Sequence, residues 1–264
     1  MTAHNHYANH LPEDLGFRTG EKGVHNTRSI MLDDLTVLLQ ELPIDATKED
    51  YRSAISDDNI LGKKTSSTRK YIAQRLAEVY ALDPDVPLFR LLRHFWQDDE
   101  QGRPLLAMLC ANARDPILRM TAAPVLALKH GDSFDKQMLE QVVAERAPGR
   151  FSETSQKKIA RLAASSWTQS GHLSGRYNKT RVRPEVTPAN IAYALVLGYL
   201  SGTRGALLFD TFWTKLLDTS AYVLHELAQE ASRRGLLTYR NAGGIVELDF
   251  SQVLTEGERE AILE

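Results

Sequence analysis

The chain has 264 residues, 42% of them hydrophobic and 25% charged, enough for one large domain or two modest ones with real cores. A formal net charge of −2 excludes an overall basic character, and the longest charge-free apolar run, Ile191 to Leu200, falls short of the ~20 residues of a membrane span. The single cysteine, Cys110, excludes an intramolecular disulfide and a cysteine-rich zinc site, and with no leader signal it points to a reducing, cytoplasmic setting.

Residues 1–28 carry His4, His6, His10 and His25 without apolar periodicity and read as a flexible arm. The spacing HNHYANH could hold a metal ion, but histidines in a loose tail usually bind nothing, and no metal or cofactor is assigned. From Ile30 helical signals dominate. Leu32, Leu35, Leu38, Leu39 and Leu42 follow helical spacing up to Pro43. Thr47 and Asp50 form a capping-box pair for the next helix. Lys63 to Ala81 reads as a helix entered through Thr65-Ser66-Ser67-Thr68. Asp115-Pro116 caps a segment running to Lys129, and a further helix is expected over Phe134–Glu145. Ala147-Pro148-Gly149 marks a boundary between a helical domain, 29–147, and a C-terminal domain, 150–264.

In the C-terminal part, Ser152–Ser170 reads as a helix. Thr187-Pro188 opens a buried helix to Leu200, Ala206–Leu217 a second, and Asp218-Thr219-Ser220 caps a third that ends at Arg233, Arg234 and Gly235. Beyond it, GLLTYRNAGGIVELDF alternates around a turn at Asn241–Gly244, with Val246, Leu248 and Phe250 on one face of a strand. Three helices followed by a two-stranded ribbon is the order of a winged helix-turn-helix. The expected fold is therefore mainly α: an N-terminal helical domain followed by winged helix-turn-helix-like units with short hairpin wings near 172–184 and 236–250.

A shift of 64 residues supports the first of those wings. It places Ile159 over Val223, Ala160 over Leu224, Ala163 over Leu227, Ala164 over Ala228, Gly171 over Gly235 and Leu173 over Leu237. With a shift of 87, Thr68, Ile72, Ala73, Ala77 and Tyr80 fall on Ser155, Ile159, Ala160, Ala164 and Trp167, so three related helices are read, two of them with wings.

Charge along the chain is uneven. Arg146 to Arg183 holds nine Lys/Arg against one acid, Lys63 to Arg75 five against none, and Glu247 to Glu264 six acids against one Arg. Phosphate contacts need that density of cations. The candidate DNA-binding residues are Lys157, Lys158, Arg161, Arg176, Lys179, Arg181 and Arg183, with Lys63, Lys64, Arg69 and Lys70 as a second patch at a helix start. Replacing Arg176, Lys179, Arg181 and Arg183 by alanine is expected to weaken DNA binding without lowering the melting temperature. Catalytic signatures are missing: no glycine-rich phosphate loop, no HExxH and no GxSxG. His94 with Asp98, Asp99 and Glu100 reads as a helix end followed by a solvated loop, so the chain is read as non-enzymatic.

The segments SSTRKYIAQRLAEVY, SETSQKKIARLAASSW with SGHL, and ALVLGYLSGTRG resemble the BrxA family of BREX bacteriophage-defence systems, in element order over residues 29–250. The resemblance implies a non-catalytic, mostly helical, double-stranded-DNA-binding accessory protein that works beside other defence-system proteins. Family members have been labelled inner-membrane proteins, a label that the lack of an apolar 20-mer contradicts here. Two other readings stand beside it: a scaffold that docks larger partners through the last winged unit and acidic tail, and a sequence-specific transcriptional regulator. A basic stripe does not by itself separate DNA from RNA.

Overall fold

The computed structural model describes residues 11–97, 99–243 and 245–260. Among them the chain is mainly helical, with two small antiparallel sheets. His4, His6, His10, Asp98 and Gly244 lie outside the described residues.

Five helices build the first half: α1 (Leu32–Glu41), α2 (Lys48–Ser56), α3 (Ser66–Tyr80), α4 (Pro87–Trp96) and α5 (Arg103–Arg114). The row Leu35, Leu38 and Leu39 is buried, and Leu42 turns extended before Pro43, as a pre-proline residue does. Thr47 and Asp50 form the reciprocal capping box. Thr65 caps α3 through Thr68 N–H, so Lys63 and Lys64 stay in the loop before the helix. The segment from Pro116 to Lys129 is two short helices, α6 (Pro116–Arg119) and α7 (Ala122–Ala127). Pro124 accounts for the break: it has no N–H to offer Met120 and crowds that carbonyl.

Phe134 begins no helix. Ser133–Phe134 is a strand, β1, and the helix α8 starts at Gln137 and runs to Arg146. After α9 (Glu153–Gln169) come β2 (Leu173–Ser174) and β3 (Lys179–Arg181). The three strands form one antiparallel sheet in the order β1-β3-β2, with Phe134 opposite Lys179 and Leu173 opposite Arg181. Next are α10 (Pro188–Leu200), a 3-10 turn over Gly205–Asp210, α11 (Phe212–Lys215), α12 (Ala221–Arg233), the hairpin β4 (Thr238–Ala242) and β5 (Ile245–Asp249), and α13 (Glu256–Glu260). The expected single helix over 206–217 is split because Thr211 caps a new start, accepting from Thr214 N–H.

Ten of the twelve residues of α5 and eleven of the thirteen of α10 are buried, and these two helices pack on each other and on α4. A helix apolar on all sides belongs in the middle of a protein. One apolar cluster runs from Leu11 to Leu254 and takes residues from both sides of 147–149, so the expected boundary there does not separate two cores. Residues 11–28 also differ from expectation. Leu11, Leu15, Phe17 and Val24 are buried in that cluster, and 3-10 turns cover Glu13–Leu15 and Val24–Asn26. No described helix is long and apolar enough to cross a membrane.

Candidate nucleic-acid interface

Helix α9 buries Ile159, Ala160, Ala163, Ala164, Ser166 and Trp167. Residues three and four apart share a helix face, so the complementary face carries Thr154, Lys158 and Arg161, with Lys157 at its edge. All four are exposed, and Lys158 and Arg161 make no ion pair among the described residues. Lys157 is half-committed, 2.5 Å from Glu153 one turn back, where its pKa is raised by the hydrogen bond and charge of that carboxylate.

At the C-terminal end of α9 the chain reverses through Gly171, whose φ of 84° suits glycine, into β2. The turn between β2 and β3 places Arg176, Tyr177 and Asn178 at its exposed tip, with the Arg176 guanidinium over the Tyr177 ring, 5.2 Å from its centre. Tyr177 is 84% exposed, the highest value among the large hydrophobic side chains of the described residues. Its signal in the sequence is an aromatic residue between two turn formers, Gly175 and Asn178.

Two of the basic residues expected on this surface are not there. Strand alternation sends Lys179 and Arg181 to the same side of β3, toward the helices, and Thr180 to the other. Arg181 is 1% exposed. It donates to Val125 O and His172 O (both 3.0 Å), to Val182 O, and to Asp218 Oδ2 at 2.7 Å. It therefore ties the sheet to α7 and to the loop before α12 and offers nothing to a ligand. Lys179 is half-buried, its Nζ donating to Thr168 Oγ1 (2.8 Å) and Gly175 O (2.9 Å), and burial lowers its pKa. Arg183, past the strand, is exposed.

The second patch divides similarly. Lys64 and Lys70 are exposed. Lys63 is paired with Asp34 at 2.6 Å, and Arg69 Nε donates to Ser56 O at 2.9 Å, joining α3 to α2.

Within the core lies a grouping that the sequence did not reveal. His25 Nδ1–H donates to Asp115 Oδ2 (2.8 Å), and His25 Nε2 meets Ser166 Oγ (2.8 Å). Burial would raise the Asp115 pKa, but His25 and the Leu118 and Val24 N–H groups outweigh it and hold the carboxyl below its ordinary value. All three side chains are wholly buried, and Ser166 Oγ also accepts from Ile30 N–H. A substrate has no route to that hydroxyl. The trio locks residues 24–30 onto α6 and α9, which makes His25 a structural residue.

Asp99 accepts from Gly102 N–H (3.1 Å) and from Thr187 Oγ1, fastening the loop after α4 to the start of α10. Among the described residues no group of three metal-ligating side chains comes together. No protein-family model and no curated protein matches the chain.

Proposed function

We propose that this protein is a non-catalytic, double-stranded-DNA-binding accessory protein, and that residues 133–183 form a winged helix-turn-helix unit with α9 as its groove-facing helix and the 174–179 turn as its wing. The observation that carries this reading is the order strand–helix–helix–strand–strand with sheet order β1-β3-β2, and with cations that have no ion pair among the described residues on the outer face of α9 and on the turn beyond it. In a winged helix the first strand joins the wing in that way, and the second helix of the pair enters the major groove. Lys158, Arg161, Arg176 and Arg183 contact phosphates, with Lys157 as a weaker contributor and Lys64 and Lys70 as a second contact region. Contacts of this kind hold the backbone and read little sequence. The resemblance to BrxA supports a place beside other proteins of a BREX-type phage-defence system, in the cytoplasm.

The test is fluorescence anisotropy with a random duplex of about 30 base pairs at several salt concentrations. Binding should fall steeply with salt, and the triple variant Lys158→Ala/Arg161→Ala/Arg176→Ala should reduce the slope of log K against log salt by about 2 to 3, since each phosphate contact contributes ~0.9. Wild-type affinity in that variant, with the fold intact by circular dichroism, would exclude this surface.

One observation favours a second role for the last unit. α12 carries Glu226 and Glu230 on its polar side, and Leu207, Tyr222 and Ile245 are 72%, 70% and 77% exposed around it. Acidic charge repels phosphate, and exposed apolar side chains suit protein contact. Co-purification of partners that survives nuclease treatment and is lost in Tyr222→Ala/Ile245→Ser would support docking there.

A further inference from the structure

A cleft of about 440 Å³ opens between the loop that follows α1 and the α4–α5 junction. Leu42, Pro43 and Ile44 form its apolar side, and Arg93, Trp96 and Arg103 its polar side. No carboxylate lines it among the described residues. Arg93 is 6% and Trp96 1% exposed. Arg93 Nε, Trp96 Nε1 and Arg103 Nε are buried N–H groups, and each lacks an acceptor among the described residues.

Three orphaned donors around one opening call for an explanation, because a buried donor without a partner carries its full desolvation penalty. The other tryptophans show the usual solution: Trp167 Nε1 donates to Thr121 Oγ1 (2.9 Å) and Trp213 Nε1 to Ser201 Oγ (3.1 Å). One of the two cations is also set in place. Arg93 donates through its two terminal nitrogens to Leu39 O and Leu42 O, which immobilises its plane. The Arg103 guanidinium lies 5.7 Å from the Trp96 ring centre, and its nearest described acid, Glu100, is 4.0 Å away with an 86% exposed side chain.

Two guanidinium groups, one of them held in place, and an indole N–H beside an apolar wall match an ionised carboxylate carried on an apolar stem. The rim is open: Pro43 is exposed and Ile44 is 47% exposed, which leaves room for a main chain to continue on either side of the buried group. We propose that this cleft binds the glutamate side chain of a partner polypeptide, flanked by apolar residues that lie against Pro43 and Ile44. None of the phosphate-contact residues named above lines the cleft, so the inference stands apart from the DNA-binding reading.

The test uses the full chain with ¹⁵N-labelled tryptophan, Trp96→Phe serving to identify the Trp96 indole signal. The probes are acetyl-Leu-Glu-Leu-amide, acetyl-Leu-Gln-Leu-amide and sodium acetate. The Trp96 signal should shift saturably with the glutamate peptide while those of Trp167 and Trp213 stay in place. The glutamine peptide should bind about tenfold more weakly or worse, and Arg103→Gln should weaken the glutamate peptide by a similar factor. No shift at millimolar peptide, an equal response to glutamine, or movement of all three signals would overturn the proposal. Acetate binding as tightly as the peptide would overturn the polypeptide partner.

Discussion

Arg181 and Arg183 stand two positions apart with the same charge, and only one of them faces water. Arg181 donates to three carbonyls and a carboxylate, so its loss leaves a half-buried Asp218 without its cation and removes one donor from each carbonyl, of which Val125 O and His172 O keep the backbone N–H groups of Leu128 and Val182. Arg181→Ala should cost about 3–5 kcal/mol of stability, as broken buried pairs do. Arg183→Ala should leave the melting temperature unchanged and lower only DNA affinity. Paired thermal melts decide this, and they replace the expectation that all four arginine and lysine changes on this turn spare the fold. His172 gives a second residue-scale prediction. Burial pushes its pKa down from 6.5 to about 3, with nearby Arg181 adding to the shift and the bond to Leu216 O opposing it. Its neutral form accepts from Ser170 Oγ and donates through Nε2–H to Leu216 O (both 2.8 Å). Because the folded pKa lies below the unfolded one, this contribution is complete above pH 6.5 and is lost as the pH falls toward 3. Urea unfolding at pH 7 and pH 4 should differ by about 3 kcal/mol through this group, and His172→Gln should flatten the difference.

At the scale of elements, the 64-residue correspondence reaches the backbone. Gly171 N–H bonds to Thr168 O and His172 N–H to Trp167 O; 64 residues later, Gly235 N–H bonds to Ser232 O and Leu236 N–H to Ala231 O. Both glycines have positive φ, 84° and 73°, and both helices lead into a buried leucine, Leu173 or Leu237. The elements then diverge in what they present. α9 shows Lys158 and Arg161, whereas both terminal arginines of α12, Arg233 and Arg234, are held by Glu230 at 2.7 and 2.9 Å. In the salt titration described above, neutralising Arg233 and Arg234 should therefore change the slope far less than neutralising the α9 pair. The N-terminal relative, α3, ends differently: Ala81, not glycine, takes the positive φ of 73°, and no strand follows.

For the whole molecule, the segment 11–28 has most consequence. Asp115 accepts from Val24 N–H (2.6 Å) and His25 N–H (3.0 Å), deep in the core. Amide hydrogen exchange at Val24, His25 and Ile30 should therefore proceed only through global unfolding, with protection close to that of α5. Exchange within seconds would restore the loose arm. Since a single apolar cluster crosses residue 148, calorimetry should also show one unfolding transition rather than two.

Local rules were enough for much of this. Capping residues such as Thr47, Thr65, Ser152, Thr187 and Ser220, the apolar rows of α1, α9 and α12, and the glycines that end helices act within a few residues, and all are legible in order along the chain. The basic stripe of α9 was legible for the same reason, since helical spacing alone puts Lys158 opposite Ala163. The two-residue strand β1 was not, because so short a strand exists only through its pairing with β3, 45 residues away. Nor could composition show that Arg181 turns inward while Arg183 does not, that His25 belongs to the core, or that Arg93, Trp96 and Arg103 share a cleft. Charge and hydrogen-bonding capacity are properties of the sequence; whether water or protein satisfies them is decided only when distant segments meet.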